Sequence, residues 1–405
     1  MCILFIYRNP NANAESYRLI LAANRDEYFK RPALPAHYWE KHPMCLGGID
    51  MESGKEGGTW FALSKKGKAG IILNLSNEPD KTPTPKKGRG TLVNDYITSN
   101  DSAECYLKKL HRENQNTQSY NHFNLILINM YTANVYYLNS SLSSLGPKMC
   151  QDDVIGIGNS LMECPYKKVQ VGKEKFASIV SNVKISQQDD IIENLLELLK
   201  LQERHLPDLE LQKRSPNKCA ELSSIFVSLA DYGTRTHTIL MVNGLNQLTF
   251  VEETLMPDLS WKRQLFNDIL TDSDIQELIK QSALVREYAY APYSNFKVGS
   301  AILCTDGTIF KGCNVENISY PVGICAERAA IAKAISEGNK KFKVLAVIAD
   351  KLEDKLTTPC GMCRQAIIEF GNIPIYCAGS DMKDVLRTTI NDLLPFSFSQ
   401  MDMKN

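Results

Sequence analysis

Three cysteines and one carboxylate constrain the C-terminal third of this 405-residue chain more tightly than any other feature. They occur as Cys325-Ala326-Glu327 and Pro359-Cys360-Gly361-Met362-Cys363. Thiolates in this pattern make a zinc site with three protein ligands and a fourth position left for water. That is the arrangement of a catalytic centre, because structural zinc sites normally close with four protein ligands. Zinc lowers the pKa of water towards neutrality, and a neighbouring carboxylate can move its protons. Cys325 and Pro359-Cys360 each stand where a helix is expected to begin. Helix N-termini carry partial positive charge and unpaired N–H groups, which favour thiolates.

A structural zinc knuckle is the competing reading. No histidine follows His237, so no imidazole from this half completes a four-ligand set. Cys304, Cys313 and Cys377 remain as fourth ligands, although Cys304 and Cys377 lie in short apolar runs that read as strands. The Cys-Ala-Glu…Pro-Cys-x-x-Cys pattern is what a zinc-dependent nucleobase deaminase requires, in a three-cysteine form. Three thiolates leave the centre negatively charged. Arg328, directly after Glu327, is placed to offset that charge by hydrogen bonding to a ligand sulfur.

Lys plus Arg and Asp plus Glu stand at 46 each. No basic excess draws the chain to nucleic acid or an anionic membrane, and the residues from Leu259 onward are balanced too. The cysteines lack the spacing of a disulfide framework, and with a zinc-thiolate site they imply a reducing compartment. The apolar start, Met1-Cys2-Ile3-Leu4-Phe5-Ile6-Tyr7, is too short for a signal peptide, and no run approaches a membrane span. The expectation is a soluble cytoplasmic protein without a membrane span or a nucleic-acid partner.

The first half reads mainly as strands, at residues 19–22, 69–73, 123–129 and 238–242. Residues 81–88 form a Pro/Gly/Lys loop, and 189–201 have helical periodicity. A break falls at Met256-Pro257-Asp258, and a capped helix begins near Thr271-Asp272. Residues 298–304 and 308–313 make a hairpin through Thr305-Asp306-Gly307. Then follow a helix at 326–337 ended by Gly338, a strand at 344–349, a helix at 361–370 ended by Gly371, and a strand at 375–377. Domains are expected at 1–258 and 271–405, the second an α/β sandwich.

Residues 272 to 398 resemble a cytidine deaminase of the small homotetrameric type. The likeness is carried by Tyr290-Ala291-Pro292-Tyr293-Ser294-Asn295-Phe296-Lys297-Val298-Gly299, by Cys313-Asn314-Val315-Glu316-Asn317, by Tyr320-Pro321-Val322-Gly323-Ile324 running into the Cys325 motif, and by Leu394-Pro395-Phe396-Ser397-Phe398. The resemblance implies a three-layer αβα fold holding Zn²⁺ on Cys325, Cys360 and Cys363, with Glu327 as proton shuttle. It further implies that Asn314 and Glu316 hold the ribose 3′-hydroxyl, as alternate residues of one strand facing the same way. Phe296 and Tyr320 would line the substrate pocket, and Phe398 would close a neighbouring subunit's pocket in a tetramer. The implied reaction converts cytidine and deoxycytidine to uridine and deoxyuridine, in pyrimidine salvage. A blasticidin-type deaminase is the near competitor. A polynucleotide-editing deaminase is disfavoured by the histidine-free ligand set and the balanced charge.

Cys2 follows the initiator methionine. With Met1 removed, its α-amino group can act as base for its own thiol, the arrangement of an N-terminal-nucleophile hydrolase. Its context includes Ala23-Asn24-Arg25-Asp26-Glu27, Gly57-Gly58-Thr59-Trp60, Gly70-Ile71-Ile72-Leu73-Asn74, Gly158-Asn159-Ser160 and Tyr232-Gly233-Thr234-Arg235-Thr236. From residue 1 to 254 the chain resembles the transport and Golgi organisation 2 family, whose pattern is similar to N-terminal-cysteine amidases. The resemblance implies a four-layer αββα fold with Cys2 as nucleophile. Arg25 or Asp26 would bind the new N-terminus, Asn74 and Asn159 would supply oxyanion donors, and Arg235 would support the pocket. A non-catalytic haem or lipid carrier stands beside the hydrolase reading, since fold and motif alone do not establish a reaction.

Overall fold

The computed structural model describes residues 2–13, 15–75, 86–141, 145–181, 183–270, 273–351, 355–382 and 385–398. Met1 and most of the 81–88 loop lie outside these residues. The chain divides into two compact units, Met1–Leu270 and Thr271–Asn405. Among the described residues, no helix is long and apolar enough to cross a membrane.

The first unit is two antiparallel sheets between helices. One sheet runs Val154–Ile157, Ile3–Arg8, Tyr17–Tyr28, Tyr232–Asn243, Gln247–Leu255, Trp261–Ile269. The other runs Ala33–Trp39, His42–Asp50, Phe61–Ser64, Lys68–Asn74, Phe123–Asn129, Asn134–Asn139, Lys148–Met149. The layering follows from side-chain alternation along fully buried strands. Leu4, Ile6, Leu19, Leu21 and Leu240 meet Phe61, Leu63, Ile71 and Ile126 between the sheets. Ile3, Phe5, Ile20, Ala22 and Ile239 point the other way, onto Val169 and Phe176 of the helix Lys167–Val180 and Leu195 of the helix Gln188–Leu199. The outer face of the second sheet packs Leu125 and Leu127 against Val93, Tyr96 and Leu107 of the helices Thr91–Thr98 and Ala103–Thr117. The result is helix, sheet, sheet, helix.

Sequence periodicity found the core strands but not the extent of the sheet. Met256-Pro257-Asp258, read as an interdomain break, lies in the turn between Gln247–Leu255 and Trp261–Ile269, which pair along their whole lengths. Trp261–Ile269 is an edge strand without a buried position, so it carries no apolar alternation to read.

The second unit is a five-stranded mixed sheet: Ile309–Cys313, Val298–Cys304, Phe342–Ala349, Pro374–Gly379, Val385–Thr389. Phe342–Ala349 and Pro374–Gly379 are parallel; the other neighbours are antiparallel. The helix Ser273–Arg286 covers one face so closely that a Cβ on Gly299 would lie 2.0 Å from the Ser282 carbonyl oxygen. On the opposite face, Ala330, Ile331 and Ala334 of the helix Ala326–Ser336 and Ile367 of the helix Gly361–Ile368 pack on Ile302 and Val347. Gly338 and Gly371 follow these helices at φ +91° and +101°, a conformation that favours glycine.

Gly299→Ala is expected to destabilise the full chain by about 3 kcal/mol, because backbone must move. Gly307→Ala, in an open turn at φ +89° with nothing within 4 Å, should cost only about 1 kcal/mol. Urea midpoints of both variants check this, and equal losses would contradict the packing account.

Candidate functional sites

Cys325 is the N-cap residue of the helix Ala326–Ser336, and Cys360 is the N-cap residue of Gly361–Ile368. Both have extended backbone, and neither helix has a side-chain cap, so the sulfurs stand at two helix N-termini whose first N–H groups no capping side chain takes. Cys363 lies inside the first turn of the second helix, fully buried. The three Sγ atoms lie within 4.8 Å of one another, and Cys325 and Cys360 are 3.8 Å apart. Tetrahedral zinc at a normal Zn–S bond length needs sulfurs about 3.8 Å apart, so the donor set fits the ion in type and spacing. Cys304 and Cys377 are buried in strands outside this group.

Hydrogen bonding from Cys363, with further help from Cys360 and Arg328, holds the Cys325 thiol down at about 5. Arg328 Nη2 donates to the Gly323 carbonyl at 3.3 Å, which fixes the guanidinium beside the sulfurs. Glu327, in the first helical turn, is 4 % exposed. Burial pushes its carboxyl up, with the Cys325 charge adding to the effect. A carboxyl raised in this way holds a proton more readily than a surface glutamate does.

Asn314 and Glu316 depart from the expected strand, which ends at Cys313. Beyond it, Val315 makes isolated bridges to Tyr290 and Ile324, so the two polar residues lie in a loop segment. Asn314 clamps the approach to the sheet: its Nδ2 donates to the Phe296 carbonyl at 2.9 Å and its Oδ1 accepts from Val298 N at 2.8 Å. Glu316 accepts from Tyr293 N at 2.9 Å, from Ser294 N at 3.2 Å and from the Ser294 hydroxyl. These bonds hold its carboxyl below the usual range, the Ser294 hydroxyl contributing most. Phe296 is half-buried, whereas Tyr320 and Phe398 are exposed. The Phe398 carbonyl accepts from Gln365 Nε2 at 2.8 Å, and Arg364 Nη1 reaches the Leu393 carbonyl at 2.8 Å. The metal-site helix therefore anchors the C-terminal segment by its backbone, with the Phe398 ring exposed among the described residues.

In the first unit, the strand Tyr17–Tyr28 turns each residue of Asn24-Arg25-Asp26-Glu27 to a different task. Asn24 Nδ2 donates to the Leu199 and Ile225 carbonyls, and its Oδ1 meets His237 Nδ1 at 2.7 Å. Asp26 N donates to Cys2 Sγ at 3.4 Å, and the thiol reaches the Asp26 carbonyl at 3.7 Å. The Asp26 carboxylate accepts from Thr234 Oγ1 at 2.7 Å. Glu27 binds Arg31 at 3.2 Å. Arg25 lies over Trp60, its guanidinium carbon 3.9 Å from the ring centroid.

Cys2, Arg25 and Asn74 line one cleft of about 310 Å³. Burial pushes the Cys2 thiol up. Asn159 is buried, and its Nδ2 donates to the Asn74 carbonyl at 2.5 Å, a bond that supports Asn74. Arg235 occupies a bulge in its strand and donates to the carbonyls of Tyr28, at 3.0 Å, and Arg31. It lines a neighbouring cavity of about 410 Å³ that also contains Arg25 and Trp60. Trp60, at the end of Gly57-Gly58-Thr59-Trp60, gives its ring to Arg25, a role its sequence context does not signal. Lys168 is a further buried cation near this site: it is fully buried, its Nζ donates to the Ser224 carbonyl at 3.0 Å, and burial pushes its ammonium down against the charges of Asp26 and Cys2. Its place in an ordinary helical pattern offered no signal.

Residues 1–257 match the family model Transport and Golgi organisation 2, and residues 272–378 match the cytidine and deoxycytidylate deaminase zinc-binding region. The Drosophila melanogaster transport and Golgi organization protein 2 is 36 % identical over 263 residues, covering 63 % of this chain and 92 % of that protein. A Sporosarcina psychrophila cytidine deaminase is 48 % identical over 133 residues, covering 32 % of this chain and 95 % of that one. A crystal structure of cytidine deaminase from Burkholderia pseudomallei is similar at 42 % identity, covering 30 % of this chain and 98 % of that one, with a TM-score of 0.29. The chain thus belongs to the Transport and Golgi organisation 2 family through its N-terminal two-thirds and carries a zinc-binding cytidine and deoxycytidylate deaminase domain in its C-terminal third.

Proposed function

We propose that the C-terminal domain hydrolyses the exocyclic amine of cytidine and deoxycytidine, giving uridine or deoxyuridine and ammonia, in pyrimidine salvage. The observation that carries this is the three-sulfur cluster between two helix N-termini with a buried glutamate in the first turn of one of them. Cys325, Cys360 and Cys363 would hold the zinc. When bound, it supplies a Lewis acid that makes water acidic enough to react near neutrality. Glu327 takes one proton from the attacking water and delivers it to the ring nitrogen; it then takes the remaining proton from the hydroxyl added to the ring carbon and passes it to the exocyclic amine, whose C–N bond breaks to release ammonia. Its raised pKa suits a group that must hold the proton between these steps. Arg328 offsets the negative charge of the thiolates.

Asn314 and Glu316 would contact the ribose hydroxyl from the loop that their own hydrogen bonds hold rigid. Phe296 and Tyr320 would border the base. Phe398 would enter a neighbouring subunit's pocket, and its exposed ring on an anchored backbone supports that reading. Tyr320, Val322, Met362 and Phe396 are large apolar side chains exposed in the same unit, and burial between subunits would cover them.

In the first domain we infer a Cys2-dependent amide hydrolase. The support is the Cys2 sulfur held by the Asp26 N–H in a cleft shared with the Asn74 side chain. The domain boundary of this reading follows the last strand, at 270, and the cell compartment is cytoplasmic.

Replacing Glu327 by Gln should leave zinc content unchanged and lower cytidine turnover by about 10²–10⁴-fold. Metal analysis beside a deamination assay checks it, and near-normal turnover in a zinc-replete variant would remove the assigned role. Light scattering at assay concentration should report a tetramer, with Phe398→Ala losing activity; a fully active monomer is the contrary result. Intact-mass measurement of protein from its native cell should show Met1 absent. A retained Met1 would leave the first domain a carrier, with deamination as the chain's only chemistry.

A further inference from the structure

Arg25 is 8 % exposed, yet among the described residues its side chain makes no hydrogen bond or ion pair. Its contact is the stack on Trp60. The carboxylates around it are committed elsewhere. Arg31 binds both Glu27, at 3.2 Å, and Asp50, at 2.5 Å. Asp26 accepts from Thr234. Burial drives the Arg25 pKa down, and the Arg235 charge adds to that effect. Arginine nevertheless remains ionised, because its ordinary pKa lies so far above neutrality. A buried cation without a partner is unfavourable, and an aromatic face compensates it only in part. Beside it, Trp60 Nε1 is a buried donor without a partner among the described residues.

These two orphaned donors stand where ligand space converges. The Cys2 cleft and the adjacent cavity are both lined by Arg25 and Trp60. Arg31, Lys55, Lys86, Lys87 and Arg89 join Arg25 in the Cys2 cleft, six basic groups against the four acids Asp26, Glu27, Asp50 and Glu56. Arg89 is itself largely desolvated, which pushes its pKa down; its Nη1 donates to the His122 carbonyl at 2.8 Å.

We propose that the Cys2 cleft is an oxyanion-binding site, in which a carboxylate or phosphate of the ligand sits on Arg25 beside Trp60. Its substrate class is then an amide bearing a negative charge a short distance from the carbonyl presented to Cys2. A guanidinium presents parallel N–H groups that match either oxyanion, and the low-dielectric floor strengthens the pairing. The proposal rests on the reading of Cys2 as a reactive thiol, but the two fail separately in the following experiment.

Alkylation of the full chain by iodoacetate and by iodoacetamide distinguishes an anionic reagent from its neutral analogue, with the exposed Cys105 and Cys164 as internal references. The iodoacetate-to-iodoacetamide rate ratio at Cys2, read by peptide mass, should exceed that at Cys105 by about tenfold or more, as a cationic cleft concentrates anions. Arg25→Gln should return the ratio to the reference value, and Arg25→Lys should retain part of it. In parallel, tryptophan emission is titrated with inorganic phosphate and with benzoate at constant ionic strength. A response to phosphate alone, or to benzoate alone, identifies the group, and Arg25→Gln should abolish it. Equal ratios at Cys2 and Cys105, unchanged by Arg25→Gln, with no emission response to either anion, overturn the proposal. A Cys2 inert to both reagents, with an Arg25-dependent emission response intact, supports the anion site and removes the hydrolase reading alone.

Discussion

The first cleft hangs on one antiparallel ladder, between Tyr17–Tyr28 and Tyr232–Asn243. It joins segments about two hundred residues apart in sequence; Thr234 and Asp26, which bond across it, are separated by 208. Closing so large a loop costs chain entropy, which burial on both faces of the ladder offsets. The first ten positions of Tyr17–Tyr28 are buried, so any polar residue there must find a partner. Asn24 and Asp26 find theirs across the ladder or in the neighbouring loops. Arg25, facing the gap between the sheets, meets an aromatic ring. The bulge at Arg235 shifts the register between Arg25 and Asp26, and so lets adjacent residues serve different sites.

The same chain shows how far surroundings decide the chemistry of one side chain. Cys377 is buried in a strand, and burial pushes its thiol up to about 12. Cys2 is raised by burial as well, although the Asp26 N–H donates to it. Cys325 is held at about 5 by neighbouring donors at a helix start. The contrast lies in donors: a thiolate forms where several N–H and S–H groups converge, and desolvation alone opposes it.

Much of the second domain was legible because its signals are local. Gly338 and Gly371 end helices, Gly307 lies in the turn of a hairpin, and the cysteines mark helix starts, each within a few residues. Among the outer helices of the first domain, periodicity shows Gln188–Leu199 but not Lys167–Val180, Thr91–Thr98 or Ala103–Thr117, and the last edge strand carries no such signal. Trp261–Ile269 has no buried position and mixes polar residues with the exposed Trp261 and Leu265; it is a strand because Gln247–Leu255 offers it a ladder. The alternation of Asn314 and Glu316 suits a strand, as the resemblance implies, but the bridges of Val315 to Tyr290 and Ile324 take that segment out of the sheet.

The sequence by itself determined the zinc ligand set, the buried-strand cores and the division into two families of motif, since residue type and spacing carry all three. Tertiary structure alone decided which polar groups are left without partners. Nothing in Asn24-Arg25-Asp26-Glu27 tells which of its members pairs and which does not. That outcome depends on Arg31 taking both Glu27 and Asp50, on Thr234 taking Asp26, and on Trp60 lying beneath Arg25. These partners come from distant segments, and competition for hydrogen bonds inside a low-dielectric fold is settled only when all of them are present.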